Sequence, residues 1–310
     1  MDNFSITFME FLVKAVNEII VKFVQLMPKS LVRLFANSYI AGDTLDEAVA
    51  LVKKLNADGI MATMDVLGES ITSKDEAIDA KKQAFAALDA IHEHKLNSNL
   101  SIKPTQFGLL LDEEFCFQQV HELLGYAKAR NNFIRLDMED STTTDRIIAL
   151  YERCRKEFSN VGIVVQACLR RTVHDVELMN RESANYRLCK GIYIEPVEIA
   201  YRNRQEVRDN YLTLLRLMLE NKKYTGIATH DDYLLNGAKA LIKELGIQPD
   251  AYEFQMLLGV RADLRNKLVK EGNKLRVYVP FGKQWYAYSI RRLKENPNMA
   301  MDIFKNLFRM

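Results

Sequence analysis

From residue 59 onward the chain repeats one pattern, a short β-branched and apolar run followed by a stretch with helical spacing, and this repetition constrains the fold more than any other feature. The runs are IMATMDVL (60–67), NLSIKP (99–104), FIRLDM (133–138), GIVVQAC (162–168), YRLCKGIY (186–193), YTGIATH (224–230), YEFQMLLG (252–259) and LRVYVP (275–280). Segments rich in Ala, Leu, Glu, Lys and Arg separate them, such as SKDEAIDAKKQAFAALDAIHEH (73–94) and EEFCFQQVHELLGYAKAR (113–130). Parallel strands need a crossover between neighbours, and a helix after every strand supplies it. Strand then helix, eight times, predicts an α/β protein of the (β/α)₈ barrel class. Several runs read as near-continuous apolar stretches, as in a parallel sheet buried on both faces. Residues 1–58 then form an added N-terminal helical region, including the capped helix DTLDEAVALVKKLNA (43–57), and 59–310 the barrel with its C-terminal helix. A doubly wound sheet is the competing architecture. It would want G-x-G-x-x-G after an early strand, and none of the 13 glycines stands two residues from another.

Charge narrows the partners. With 43 Lys+Arg against 41 Asp+Glu there is no basic cluster of the kind that phosphate binding requires, so no nucleic acid is expected. Cys116, Cys154, Cys168 and Cys189 contain no C-x-x-C and read as reduced thiols of a cytoplasmic protein. Residues 8–27 (FMEFLVKAVNEIIVKFVQLM) have the length of a membrane span, but Glu10, Lys14, Glu18 and Lys22 recur every four residues along one stripe. That pattern is an amphipathic helix, and MDN lacks the basic start of a secretory signal. Packing on the body of the protein or on another subunit is the plainer reading. Peripheral docking at the inner face of a membrane is the alternative.

In such a barrel the active site lies at the C-terminal ends of the strands, and these ends are polar here. Lys103, Asp137 and Glu139, Gln166, Arg187 and Lys190, Thr229 and His230, Gln255 and Tyr278 belong to the second through eighth runs. Charges inside strand runs are costly to bury unpaired, so they should meet carboxylates or an anionic ligand. Internal salt bridges, for example Lys103 with Asp137, explain any one of them equally well. Convergence on one rim is what favours a site. His92, His94, His121 and His174 have no ligand-like surroundings, and no metal site is expected. No H-x-x-E-H, G-x-S-x-G or P-loop occurs. In WYAYSIRRLKENP (285–297) the adjacent Arg291 and Arg292 could clamp a small carboxylate, or Arg291 could simply pair with Glu295 at the surface.

The strings VLGES (66–70), SIKPTQ (101–106), RLDMEDS (135–141), VQACLRRT (165–172), RLCKGIY (187–193), ATHD (228–231), FQMLLG (254–259), and YVPFG followed by YSIRRLKEN (288–296) resemble the proline dehydrogenase family in order and spacing. The resemblance spans about residues 36 to 297. It implies a distorted (β/α)8 TIM-type barrel that binds FAD and oxidises L-proline to Δ¹-pyrroline-5-carboxylate. Electrons would pass to a quinone, and the product to a Δ¹-pyrroline-5-carboxylate dehydrogenase. The length is that of the single-function form. Carried over residue by residue, the resemblance puts Lys103, Arg291 and Arg292 around the proline carboxylate, with Asp137 holding Lys103. Tyr193, Leu257, Tyr278 and Tyr288 become the wall around the ring, and Arg187 the arginine near flavin N5. Gln166, Cys189, Lys190, Gly191, Thr229, His230, Gln255 and Glu295 line or support the FAD, and Glu69 pairs with Arg291 to close the site. The chain departs from the commoner pattern at Cys189, Ile192 and Leu258.

Elementary chemistry agrees with these roles. Hydride leaves the carbon beside the ring nitrogen as the nitrogen lone pair forms an imine, so a carboxylate clamp must fix that carbon near its acceptor. The amine must be unprotonated, which implies activity rising with pH. Other readings remain open from the sequence. Lys103 could form a Schiff base as in class I aldolases, the substrate could be hydroxyproline, or the barrel could be a catalytically silent binding protein.

Overall fold

All eight runs become parallel strands: β1 Met61–Val66, β2 Ser98–Ile102, β3 Ile134–Leu136, β4 Val161–Gln166, β5 Asn185–Cys189, β6 Tyr224–Ala228, β7 Tyr252–Leu257 and β8 Leu275–Phe281. They pair in sequence order and close, β8 returning to β1 through Met61↔Arg276 to Val66↔Phe281. The computed structural model describes residues 32–33, 36–68, 71–286 and 288–290.

The helices start where side chains satisfy the free N–H groups of a first turn. Ser73 caps Lys74–Glu93, Asp112 caps Glu113–Lys128, Asp231 caps Asp232–Glu244, and a Thr44/Glu47 capping box opens Leu45–Ala57. That last helix buries Ala48, Val49, Val52 and Leu55 in the same apolar core as β1 and β8. Just before it, Ala36, Tyr39 and Ile40 pack with Leu67 and Tyr288 at the barrel mouth. The Ala41 N–H donates to the Pro280 carbonyl (2.9 Å), and the Gly282 N–H to that of Gly42 (3.0 Å). Gly259, at φ +74°, lets the chain seat there, because a Cβ would lie 1.9 Å from the Ser38 carbonyl oxygen. Among the described residues no helix is long and apolar enough to cross a membrane, and the amphipathic stretch 8–27 lies outside them.

The strands depart from the near-continuous apolar reading. One face of each packs under the helices and is apolar: Ala62 and Met64, Leu100 and Ile102, Ile163 and Val165, Tyr186 and Leu188, Phe254 and Met256, Val277 and Val279. The other face fills the lumen with Thr63, Asp65, Asn99, Ser101, Arg135, Arg187, Glu253 and Gln255, all buried. Cross-lumen bonds fix their direction, since Arg187 on β5 reaches Ser101 on β2. The apolar appearance came from β4 and β6, whose lumen positions include Gly162, Val164, Gly226 and Ala228. Two of these small residues make room. A Cβ on Gly162 would sit 2.3 Å from Arg135 Nη1, and one on Gly226 2.3 Å from Gln255 Nε2.

Candidate active site at the C-terminal mouth of the barrel

Lys103 follows β2 and opens the turn Pro104–Phe107. It is 6% exposed and its ammonium donates to Asp65 Oδ2 at 2.9 Å. Burial alone would push this amine down, but Asp65, Asp137 and Glu139 hold it above the ordinary lysine value, so it is cationic throughout the neutral range. The partner expected for it was Asp137. Asp65, wholly buried in β1, takes that bond instead, while Asp137 is occupied elsewhere. Asp65 was missing from the sequence-based set of site residues. Its signal was a carboxylate inside the apolar run IMATMDVL, two positions from the end of that run.

Asp137 organises a second group. Its Oδ1 accepts from Arg187 Nη1 (2.8 Å) and from the Ser101 hydroxyl, and its Oδ2 from the Tyr278 hydroxyl (2.9 Å). Burial and the Asp137 charge push the Tyr278 phenol well up, so it stays protonated and donates. Arg187 sits 5.3 Å from the centre of the Tyr278 ring. It also donates from Nε to Gln255 Oε1 (2.6 Å) and from Nη1 to Ser101 (3.2 Å). Its Nη2 is buried and has no partner among the described residues.

Gln166 ends β4 and donates from Nε2 to the Glu139 carbonyl (2.8 Å), leaving its buried Oε1 without a partner among the described residues. Glu139 in turn accepts the Thr105 N–H (3.0 Å) and hydroxyl, and burial pushes its carboxyl up. Gly191 lies at φ +101°, where a Cβ would be 2.2 Å from Cys168 Sγ and 3.1 Å from Gln166 Oε1. An unpaired buried donor and an unpaired buried acceptor suit a flat heterocycle with donors and acceptors on its edge. FAD, the cofactor that the resemblance implies, has such a ring system.

The remaining expected cofactor residues hold the rim together. Cys189 Sγ lies 3.5 Å from the Val165 carbonyl, Thr229 Oγ1 accepts the Asp231 N–H (3.2 Å), and His230 Nε2 accepts the Leu257 N–H (2.9 Å). His230 is therefore the tautomer protonated away from β7. Lys190 pairs with Asp231 at 3.4 Å, as does Arg208 at 2.8 Å. Burial alone would raise the Asp231 carboxyl, but Arg208 and Lys190 bring it down to about 2 from an ordinary 3.8. A depressed folded value stabilises above the unfolded one and is lost as pH falls through the folded one. Asp231→Asn, which keeps the helix cap, is expected to melt lower than wild type at pH 7, the gap closing between pH 3.8 and about 2. A gap independent of pH would remove the ion pairs as its cause.

Leu257, Tyr278 and Tyr288, three of the four expected ring-wall residues, line one small pocket together with Leu258, Val260, Pro280 and Tyr39. Tyr39 comes from the N-terminal segment and was not foreseen, because nothing local in ANSYIAG marks it as facing the barrel mouth. Tyr193, half-buried on the loop after β5, is not in the lining of that pocket. Glu69, Arg291, Arg292 and Glu295 lie outside the described residues. Among the described residues no three His, Cys, Asp or Glu side chains gather as metal ligands would.

Comparison with known proteins gives the relatives of the chain as a whole. The sequence model of the family described as proline dehydrogenase matches residues 48–303. Proline dehydrogenase 1 of Bacillus subtilis is 38% identical over 277 residues, covering 89% of this chain and 92% of that protein. The proline dehydrogenase of Deinococcus radiodurans is 34% identical over 279 residues, covering 88% and 90%. Among solved structures, proline utilization A from Bdellovibrio bacteriovorus inactivated by N-propargylglycine superposes with a TM-score of 0.79 at 25% identity. That match covers 85% of this chain, which spans 32% of the larger protein.

Proposed function

The chain belongs to the proline dehydrogenase family, and from that premise we propose a flavin-dependent, two-electron oxidation of L-proline to Δ¹-pyrroline-5-carboxylate at the barrel mouth. One observation carries the reading. Two buried cations, Lys103 and Arg187, stand at one end of a closed barrel beside an unpaired acceptor, and one guanidinium nitrogen faces no protein partner among the described residues.

Bound FAD would supply the hydride acceptor. The chain's own groups bind and orient. Lys103, kept charged by Asp65, meets the substrate carboxylate together with Arg291 and Arg292, the residues that the resemblance places there. Tyr278, Leu257 and Tyr288 form the apolar wall of the ring, and the resemblance adds Tyr193 from the loop after β5. Arg187 brings positive charge to where the cofactor accepts electrons, Gln166 offers a polar edge to its ring, and the resemblance adds Gly191 beside it. Cys189, Lys190, Thr229, His230, Gln255 and Glu295 support that edge, and Glu69 with Arg291 gates it. A quinone takes the electrons, and a Δ¹-pyrroline-5-carboxylate dehydrogenase takes the product.

The Schiff-base alternative needs Lys103 as a free amine. Its pairing with Asp65 opposes that, because the surrounding carboxylates favour the ammonium. An absorption spectrum of the purified protein tests the reading: flavin bands that bleach on adding proline are expected, and a colourless protein overturns it. Arg292→Ala is expected to raise KM for proline by the equivalent of about 2–5 kcal/mol while flavin stays bound. An unchanged KM removes Arg292 from the carboxylate clamp.

A further inference from the structure

Beneath the site the lumen holds a second carboxylate that plays no part in the proposed chemistry. Glu253 on β7 is 2% exposed. It accepts four hydrogen bonds: from Arg276 Nε (2.6 Å) and Nη2 (3.1 Å), from the Tyr224 hydroxyl (2.8 Å) and from Gln255 Nε2 (2.6 Å). Burial disfavours its charge, but Arg276 and the other donors outweigh that and keep the carboxyl ionised. An ionised carboxylate can only accept. Gln255 must therefore turn its NH₂ toward Glu253, which leaves its amide oxygen facing Arg187 Nε at 2.6 Å. The position is tight as well, since a Cβ on Gly226 would lie 2.3 Å from Gln255 Nε2.

The consequence falls on Arg187. Its guanidinium is planar, so holding Nε on Gln255 and Nη1 on Asp137 fixes the plane and thereby the direction of the unpaired Nη2. We infer that Glu253 is a positioning residue: through the sense of the Gln255 amide it aims the Arg187 guanidinium into the active site. The inference rests on the reading of Arg187 given above. A neutral amide at 253 would accept either orientation of Gln255, and half of those orientations set an NH₂ against Arg187 Nε.

Glu253→Gln and the exchange Glu253→Gln/Gln255→Glu separate this role from simple packing. In the single variant the Arg187 Nε–H, followed by ¹⁵N correlation NMR, should lose its protection from exchange. Turnover should fall by up to about 100-fold with little change in KM for proline, as for a misplacement of about 1 Å. The affinity of the apoprotein for FAD, read by flavin fluorescence quenching, should weaken. The exchange returns a carboxylate oxygen to Arg187 and should restore both protection and affinity. Gln255→Met breaks the link while sparing the Glu253–Arg276 pair, so it should reproduce the single variant's NMR change. Unchanged Arg187 protection in Glu253→Gln overturns the inference, as does a double variant no better than the single. The NMR signal is independent of turnover. A wild-type protein that neither binds flavin nor oxidises proline overturns the proposed function without touching this result.

Discussion

Asp65→Ala is expected to destabilise the protein by about 3–5 kcal/mol and to remove most proline turnover, because it leaves the nearly buried Lys103 ammonium without its bonded carboxylate. The two side chains are 0% and 8% exposed, and Asp65 Oδ2 makes the one direct bond to Nζ among the described residues. Asp137 and Glu139 still act on Lys103 through space, which places the loss toward the lower end of that range. Lys103→Met removes the other partner and leaves Asp65 with neither oxygen bonded among the described residues, so it too should destabilise. Combining Asp65→Asn with Lys103→Met replaces the ion pair by groups that carry no charge. That double variant should regain most of the stability while kcat/KM for proline stays low, since the cation proposed to bind the carboxylate is gone. Denaturant midpoints and steady-state kinetics on the set give the answer. If the double variant is as unstable as Asp65→Ala, the pair does not act as a charge pair. If it oxidises proline like wild type, Lys103 does not bind the carboxylate.

The second large effect concerns substrate choice. Tyr278 lines the small pocket with Leu257 and Tyr288, and its hydroxyl is bonded to Asp137. Replacing the ring by serine opens space for an added hydroxyl on the substrate and removes apolar contact with the unsubstituted ring. Both changes act in one direction. Contacts of this size are worth about 1–3 kcal/mol, so the ratio of kcat/KM for proline to that for 4-hydroxyproline should fall about 10–200-fold in Tyr278→Ser. Tyr278→Phe keeps the ring and loses only the bond to Asp137, so its ratio should stay near wild type. Both substrates measured with one electron acceptor decide the matter. An unmoved ratio in Tyr278→Ser, at unchanged flavin content, would place the selectivity elsewhere in the wall.

Much of this was legible in the linear chain. The eight strands lie where the apolar runs put them, and helix starts such as Ser73, Asp112 and the Thr44/Glu47 box lie at the ends of the helical stretches. Lys103, Asp137, Arg187, Gln166 and Tyr278 were marked by polar groups at or inside buried strands, and the structure brings them to one end of the lumen. The pairing among them was not legible. Lys103 was expected on Asp137 and lies on Asp65. Glu253 and Arg276 gave no sign that they underlie the site, and Tyr39 gave none that it faces the pocket of Leu257 and Tyr278.

The sequence by itself determined the barrel, because strand and helix periodicity, caps and crossovers are local properties that each segment carries alone. It also determined which side chains would need partners, since a charge inside an apolar run must be compensated wherever that run is buried. Only the tertiary structure decided who the partners are. Tyr278 and Asp137 are 141 residues apart in the chain, and Arg187 and Ser101 are 86 apart. Closure of the sheet brings them across a lumen only a few side chains wide. There, Asp65 lies within reach of Lys103, and Asp137 within reach of Arg187, Ser101 and Tyr278 together. The choice rests on length, direction and packing in three dimensions, quantities that no local pattern of residues encodes.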